Sequence, residues 1–184
     1  MALLPILRFP DPRLRTVAKP VGVVDDKIKQ LIENMFDTMY KDKGVGLAAT
    51  QVNRHIRVVV TDCAAPEDEP QPIAFVNPEL LAVSEETDVH QEGCLSIPEN
   101  YADVERPKCA TVKAMDKDGK EFILECEGLL ATCIQHEIDH LNGKLFIDHL
   151  SPAKQLLVRE KMKKYEKRLA REAKKSAKSP IMAR

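Results

Sequence analysis

His136-Glu137-Ile138-Asp139-His140 is the stretch from which the rest of this chain can be read. On an α-helix, residues four apart lie one above the other on one face, about 5–6 Å apart at Cβ. Two imidazoles placed that way can share one metal ion, and the intervening Glu137 is angled toward a water that the metal would hold. The pattern is a minimal kit for metal-assisted hydrolysis, and it works only on a helix. Residues 128–142 supply one, with Leu130, Ile134 and Leu141 as its core anchors and Gly143 as its stop. Two satisfied surface histidines would need both the spacing and the Glu to be coincidental.

Outward from this helix, the clearest periodic segment is residues 25–42. Ile28, Leu31, Ile32, Met35, Phe36, Met39 and Tyr40 form one apolar stripe, Asp25 or Asp26 can cap its start, and Gly44 can close its end. A glycine-bearing loop over 44–52 precedes a buried strand at 56–60. Residues 64–72 are rich in Pro and acid and read as a surface loop. Further strands are expected at 73–76 and 80–83, and a hairpin at 111–115 and 121–125 around Asp116-Lys-Asp-Gly119. Ser151-Pro152 is an N-cap followed by Pro at the first helical position, opening a helix that runs into the 170s with Leu156, Leu157, Met162, Tyr165 and Leu169 inward and a fraying end. The fold class is α+β: mostly antiparallel strands packed around a central helix bearing HExxH, with a C-terminal helix. Residues 1–150 form the catalytic part, and 151–184 add the helix and basic tail of the same single domain.

The chain has 184 residues, enough for one domain with a real core, and 43% hydrophobic against 31% charged residues, an ordinary soluble balance. No apolar run nears the roughly 20 residues that span a bilayer, and the apolar start is broken at Pro5, so a cytoplasmic protein with no membrane partner is expected. Five cysteines, Cys63, Cys94, Cys109, Cys126 and Cys133, are an odd set with irregular spacing and should remain reduced thiols. The net charge of −1 hides an asymmetry: residues 151–184 hold twelve Lys or Arg against three Glu, a basic tail on an acidic body. Such a tail suits an anionic partner, nucleic acid first, or a solvated helix end.

A catalytic metal site usually takes three protein ligands. Six residues past His140 stands Phe146, so the metzincin arrangement, which needs a third His at that position, is excluded. Glu160, twenty residues past His140, is one candidate, although Arg159-Glu-Lys-Met-Lys-Lys164 reads as a solvated charged face. Cys94, in Gln91-Glu-Gly-Cys-Leu-Ser-Ile-Pro98, is the better one: Gly93 lets the backbone approach closely, Pro98 ends regular structure, and a thiolate is a strong ligand.

Three segments together, Gly44-Val-Gly-Leu-Ala-Ala-Thr-Gln51, Glu92-Gly-Cys-Leu-Ser96 and Gln135-His-Glu-Ile-Asp-His140, resemble the signature motifs of the peptide deformylases. Phe9-Pro-Asp-Pro-Arg-Leu-Arg15 and Leu150-Ser-Pro152 resemble the bacterial form, so the likeness runs from about residue 3 to 170. It implies a hydrolase that removes the formyl group from the N-terminal formyl-Met of new polypeptides and releases formate. Cys94, His136 and His140 would hold the metal, Fe2+ in the family, with Zn2+, Ni2+ or Co2+ as substitutes. Glu137 would take the water's proton and pass one to the departing amine. Gln51 and the Leu95 N–H would stabilise the oxyanion.

The resemblance places Val45, Val89, Leu129, Thr132 and Cys133 around the Met side chain, with Gly46, Glu92 and Gly93 also beside the substrate. Gly46 would offer bare backbone to an extended peptide, and a Glu92–Arg106 pair would steady the Cys94 loop. Tyr101 stands where many bacterial members have Arg, Thr132 where an aliphatic residue is common, and His90-Gln91 reads as a one-residue insertion. The basic helix, similar in charge over 154–178, would dock a monomer on the ribosome near the exit tunnel rather than on DNA. A metallopeptidase using Glu160, or an RNA-binding module with a vestigial metal site, are the competing readings. Intact Glu137 and Gln51 argue against the latter.

Overall fold

The computed structural model describes residues 2–178. A 3-10 turn (Pro12–Arg15) leads to helix α1 (Asp26–Lys41), strand β1 (Gly46–Ala48), a second 3-10 turn (Ala49–Val52) and strands β2 (Val58–Thr61), β3 (Ile73–Val83), β4 (Thr87–Cys94), β5 (Ile97–Pro107), β6 (Cys109–Met115) and β7 (Glu121–Glu127). Helix α2 (Gly128–Leu141), a third 3-10 turn (Phe146–His149) and helix α3 (Pro152–Lys178) complete the order. Five strands form an antiparallel sheet in the order β1-β2-β3-β6-β7, and β4 and β5 pair separately as a hairpin. The structure is therefore α+β with antiparallel pairing between all the paired strands, as the sequence predicts.

Alternation along the strands places a helix on each face of the main sheet. Val58, Val60, Ala74 and Val76 point to α1, where Ile32, Met35 and Met39 are buried. Val59, Phe75, Val112 and Ala114 point to Ile134, Ile138 and Leu141 of α2. Helix α2 is covered on nearly every side: from Ala131 to Leu141 only Asp139 is not buried. Of its expected anchors, Ile134 and Leu141 are fully buried, while Leu130 is partly buried at the edge of the cluster. A third cluster joins Leu7, Phe9 and Leu14 to Ile97 and Val104 of β5, Phe146, Ile147, and Val158 and Met162 of α3.

Local chemistry explains the element ends. The Asp25 carboxylate accepts the Ile28 N–H at 2.9 Å and caps α1. At the other end the Gly44 N–H reaches the Met39 carbonyl (2.9 Å) and the Lys43 N–H that of Tyr40 (3.1 Å), a Schellman closure. The left-handed residue of that closure is Lys43 (φ 56), one position before the glycine expected to supply it. The Asp116 carboxylate accepts the Asp118 and Lys120 N–H groups in the β6–β7 turn, so this hairpin matches expectation.

Several elements depart from the sequence reading. The two expected strands over 73–83 are one strand bent at Asn77 (φ 53) and Pro78, with register shifts where it pairs with β6. The 44–52 loop contains the edge strand β1. Cys94 and its flanks belong to the long β4–β5 ribbon, which passes through Pro98 instead of ending there. Helix α3 turns Val158 and Met162 inward with Tyr165 against them, leaving Leu156 and Leu157 exposed. It is helical through Lys178, where a frayed end was expected; residues 179–184 of the basic tail lie outside the described residues.

Candidate metal centre and active site

The sulfur of Cys94, at the end of β4, meets the two imidazoles of α2. Cys94 Sγ lies 3.2 Å from His140 Nε2, which lies 3.2 Å from His136 Nε2. Among the described residues this is the one group of three such side chains whose ligand atoms converge, all within 4.8 Å. The donor set fits a divalent cation: one soft thiol and two imidazole nitrogens, with the ring orientations set from outside. His136 Nδ1 contacts the Glu92 carboxylate at 2.8 Å, which directs Nε2 inward. Glu160 points elsewhere, paired with Lys163 at 2.8 Å on the exposed face of α3, so the metallopeptidase reading that needs it as a ligand is overturned.

Electrostatics prepare the same centre. Burial alone would raise the Glu92 carboxyl, but hydrogen bonds from His136 and Arg106 and the Arg106 charge outweigh it and hold it at about 2. Arg106 is buried with it, Nη2 to Glu92 Oε2 at 3.0 Å, and its Nη1 reaches Asp139 at 2.9 Å. Burial, followed by the neighbouring His136 and the Arg106 charge, drives His140 well below its ordinary value and keeps it neutral, the form that ligates a metal. Burial raises Glu137 to about 7. Its Oε2 is buried with no protein partner.

Gln51 sits on the 3-10 turn after β1. Its Oε1 accepts the Ala48 N–H (2.8 Å), and its Nε2 donates to Ser96 Oγ (3.1 Å) and faces Cys94 Sγ (3.5 Å), so the amide is locked beside the Cys94 sulfur. Gly46 allows the closest approach of all: a Cβ there would stand 2.5 Å from Glu137 Oε1 and 2.6 Å from Cys133 Sγ. An open cavity of about 700 Å³ spreads from these groups, walled by Val45, Gly46, Gly93, Leu95, Leu129, Thr132 and Cys133.

The comparisons with known proteins agree with this geometry. A family model for polypeptide deformylase matches residues 3–156. The chain belongs to the polypeptide deformylase family. It is 60% identical to a peptide deformylase of Cellvibrio japonicus over 91% of this chain and 98% of that one. A crystal structure of a peptide deformylase from Legionella pneumophila superposes with a TM-score of 0.85 at 47% identity, covering 97% of this chain and 100% of that chain. One from Ehrlichia chaffeensis in complex with actinonin gives 0.86 at 39% identity, covering 90% and 99%. This deformylase is a metal-dependent hydrolase that removes the N-formyl group from formyl-Met nascent polypeptides.

The deformylase cavity gathers every residue expected at the substrate except Val89. Val89 is 57% exposed on β4 and lies outside the cavity, whose lining on that strand begins at the next residue, His90. Glu92 touches the cavity, but both its carboxylate oxygens are engaged by Arg106 and His136. Tyr101 lies across Gly93, whose missing Cβ would meet the Tyr101 ring at 2.6 Å, so the departure at Tyr101 and the motif glycine form one unit. Asp139 and His149 escaped the sequence reading: Asp139 Oδ2 joins Arg106 to His149 Nε2 at 2.9 Å each, extending the buried ion pair to the surface. Asp139 occupies a free position of H-E-x-x-H, where spacing carries no signal. Arg8, Asn100 and Tyr165 at the far end of the cavity were also missed, because they come from three distant segments.

Proposed function

We propose that Cys94, His136 and His140 hold the catalytic cation, that this cation is Fe2+, and that Glu137, Gln51 and Leu95 direct deformylation. The observation that carries the assignment is the convergence of one sulfur and two ring nitrogens beside a buried carboxylate with a free oxygen. Thiolate and imidazole suit iron and zinc alike, so Zn2+, Ni2+ and Co2+ are expected to substitute. A divalent cation held there polarises a carbonyl and makes water more acidic.

Glu137, its carboxyl poised near neutrality by burial, takes a proton from the attacking water and returns one to the α-amine as the C–N bond breaks. Gln51 Nε2 and the Leu95 N–H donate to the oxygen of the formyl group as it gains charge. Such a donor is worth about 2.7–4 kcal/mol. The peptide pairs with β1. Asp62 N–H already bonds the Val45 carbonyl on the β2 side at 2.9 Å, so by alternation the Gly46 N–H and C=O face the open edge. The Met side chain enters between Val45 and Leu129 at the rim, with Thr132 and Cys133 deeper and Gly93 beside the peptide path.

Metal analysis of anaerobically purified protein, with formate release from formyl-Met-Ala-Ser on the same sample, tests the assignment. Cys94→Ser should lose both metal and formate release, whereas Glu160→Gln should keep both; metal retained in Cys94→Ser would remove Cys94 from the site.

We further infer a cytoplasmic monomer in which residues 151–184 belong to the same domain as 1–150. Val158 and Met162 share a core with Leu7 and Phe146, one chain supplies every ligand, and no helix among the described residues is long and apolar enough to cross a membrane. The exposed basic face of α3 suits the ribosome near the exit tunnel, through salt-sensitive phosphate contacts. Glu replacements at Lys161, Lys164, Lys167 and Arg171, all exposed, should abolish co-sedimentation with ribosomes. Unaltered sedimentation would remove the ribosomal reading.

A further inference from the structure

Two thiols outside the metal centre share one peptide group. Cys63 follows directly on β2 and Asp62, and Cys133 faces it from α2. Both sulfurs approach the Val45 carbonyl oxygen, Cys63 Sγ at 3.9 Å and Cys133 Sγ at 3.5 Å. The two thiols also interact with each other. That interaction lowers Cys63, against burial and the nearby Glu137 and Asp62 charges, and together with burial raises Cys133. Cys63 is half-buried and Cys133 buried. An accessible thiol of enhanced acidity next to a shielded one is the usual arrangement of an attacking and a resolving cysteine. Thr61, Asp62 and Cys63 place the first thiol by strand geometry, and α2 places the second, so neither depends on a long side chain. Deformylation uses no thiol at position 63.

We propose that Cys63 and Cys133 form a peroxide-sensitive thiol pair that closes to a disulfide across the Val45 carbonyl. The oxidant is a hydroperoxide. The Cys63 thiolate attacks its terminal oxygen, the O–O bond breaks, and Cys63 becomes a sulfenic acid while the other oxygen leaves, protonated, as water or an alcohol. The Cys133 sulfur then attacks the Cys63 sulfur; the S–S bond forms, the S–O bond breaks, and the hydroxyl leaves with the Cys133 proton as water. The two sulfurs together lose two electrons, and the peroxide gains them. Val45 O keeps its main-chain donor, the Asp62 N–H at 2.9 Å, and gives up only weak S–H contacts. A thiol reductant reverses the bond by exchange.

Closing the pair draws the Cys133 sulfur away from the cavity and ties α2 to the chain after β2. That consequence, unlike the disulfide itself, rests on the proposed seat of the Met side chain against Cys133. The test uses the zinc-loaded holoenzyme, because zinc has no redox chemistry and occupies Cys94. The protein is treated with hydrogen peroxide, its free thiols are blocked with N-ethylmaleimide, and its proteolytic peptides are mapped by mass spectrometry.

A Cys63–Cys133 linked peptide that dithiothreitol separates is expected, with kcat/KM for formyl-Met-Ala-Ser lowered roughly tenfold and restored on reduction. Cys63→Ser should keep the untreated activity and resist peroxide. Cys63→Ala should do the same and covers a serine-specific folding defect. Both thiols found alkylated after peroxide, or Cys63 linked to another cysteine, would overturn the proposal. A linked peptide with unchanged kcat/KM would uphold the thiol pair and remove Cys133 from the Met pocket.

Discussion

Two glycines show how differently one missing Cβ can matter. At Gly46 the added atom would strike the Glu137 carboxylate and the Cys133 sulfur, both fixed by a buried helix. Gly46→Ala should therefore displace the Glu137 carboxylate and lower kcat/KM by about 100-fold, with metal content unchanged, as a formate assay and metal analysis on one sample would read. At Gly93 the clash is with the Tyr101 ring, which is 67% exposed and free to swing away, so Gly93→Ala is much milder. Arg106 is the other residue whose loss is severe. Its removal leaves Glu92 and Asp139 without their cation, both of them largely buried, and Arg106→Ala should lose about 3–5 kcal/mol in urea unfolding together with metal affinity. Unchanged stability and metal content would show that the ion pair does not steady the Cys94 strand.

Among the elements, α3 separates what periodicity can tell from what packing decides. Leu156, Leu157, Met162, Tyr165 and Leu169 are all apolar, and two helical faces can be drawn through them. The face that wins, through Val158, Met162 and Tyr165, is the one that meets Leu7, Phe9 and Phe146. Met162→Ala should cost about 2–5 kcal/mol by denaturant unfolding, while Leu157→Ala, already 63% exposed, should stay within about 0.5 kcal/mol. The end of α1 offers the opposite sign. Lys43 holds the left-handed turn that glycine takes without a steric penalty, and Lys43→Gly should stabilise the fold by about 1 kcal/mol.

The β4–β5 ribbon was not legible in the sequence because β4 is exposed on both faces over its first three residues, Thr87 to Val89, which leaves no alternation to detect there. Strand β3 looked like two because Asn77 and Pro78 interrupt its apolar pattern.

At the scale of the whole molecule, the N-terminal segment is joined to the turn before α3 through Arg15 and Asp148, which form an ion pair between the first and third 3-10 turns; Asp148 also accepts the Leu145 N–H at 2.9 Å. Burial would raise the Asp148 carboxyl, but the hydrogen bonds from Arg15 and the Leu145 N–H together with the Arg15 charge outweigh it and lower it. A carboxyl lower in the folded state than in the unfolded one stabilises above the unfolded value, about 3.9, and loses that contribution as pH falls through the folded value. Asp148→Asn should be less stable than the parent at neutral pH and converge with it as pH falls through the folded carboxyl value, by urea unfolding at each pH.

The metal centre follows a similar division. The helical spacing of His136 and His140, the position of Glu137 between them, the α1 stripe and the β6–β7 turn are local properties, dictated by 3.6-residue periodicity and turn chemistry, and the chain alone determined them. Only the folded structure could decide that the sulfur of Cys94 and not the carboxylate of Glu160 meets the two imidazoles, that Asp139 and His149 extend the Glu92–Arg106 pair, that Val89 turns away, and that Cys63 faces Cys133. Each of these depends on which segments distant in the chain are brought together, and contact between distant segments is set by the packing of whole layers, which no local pattern encodes.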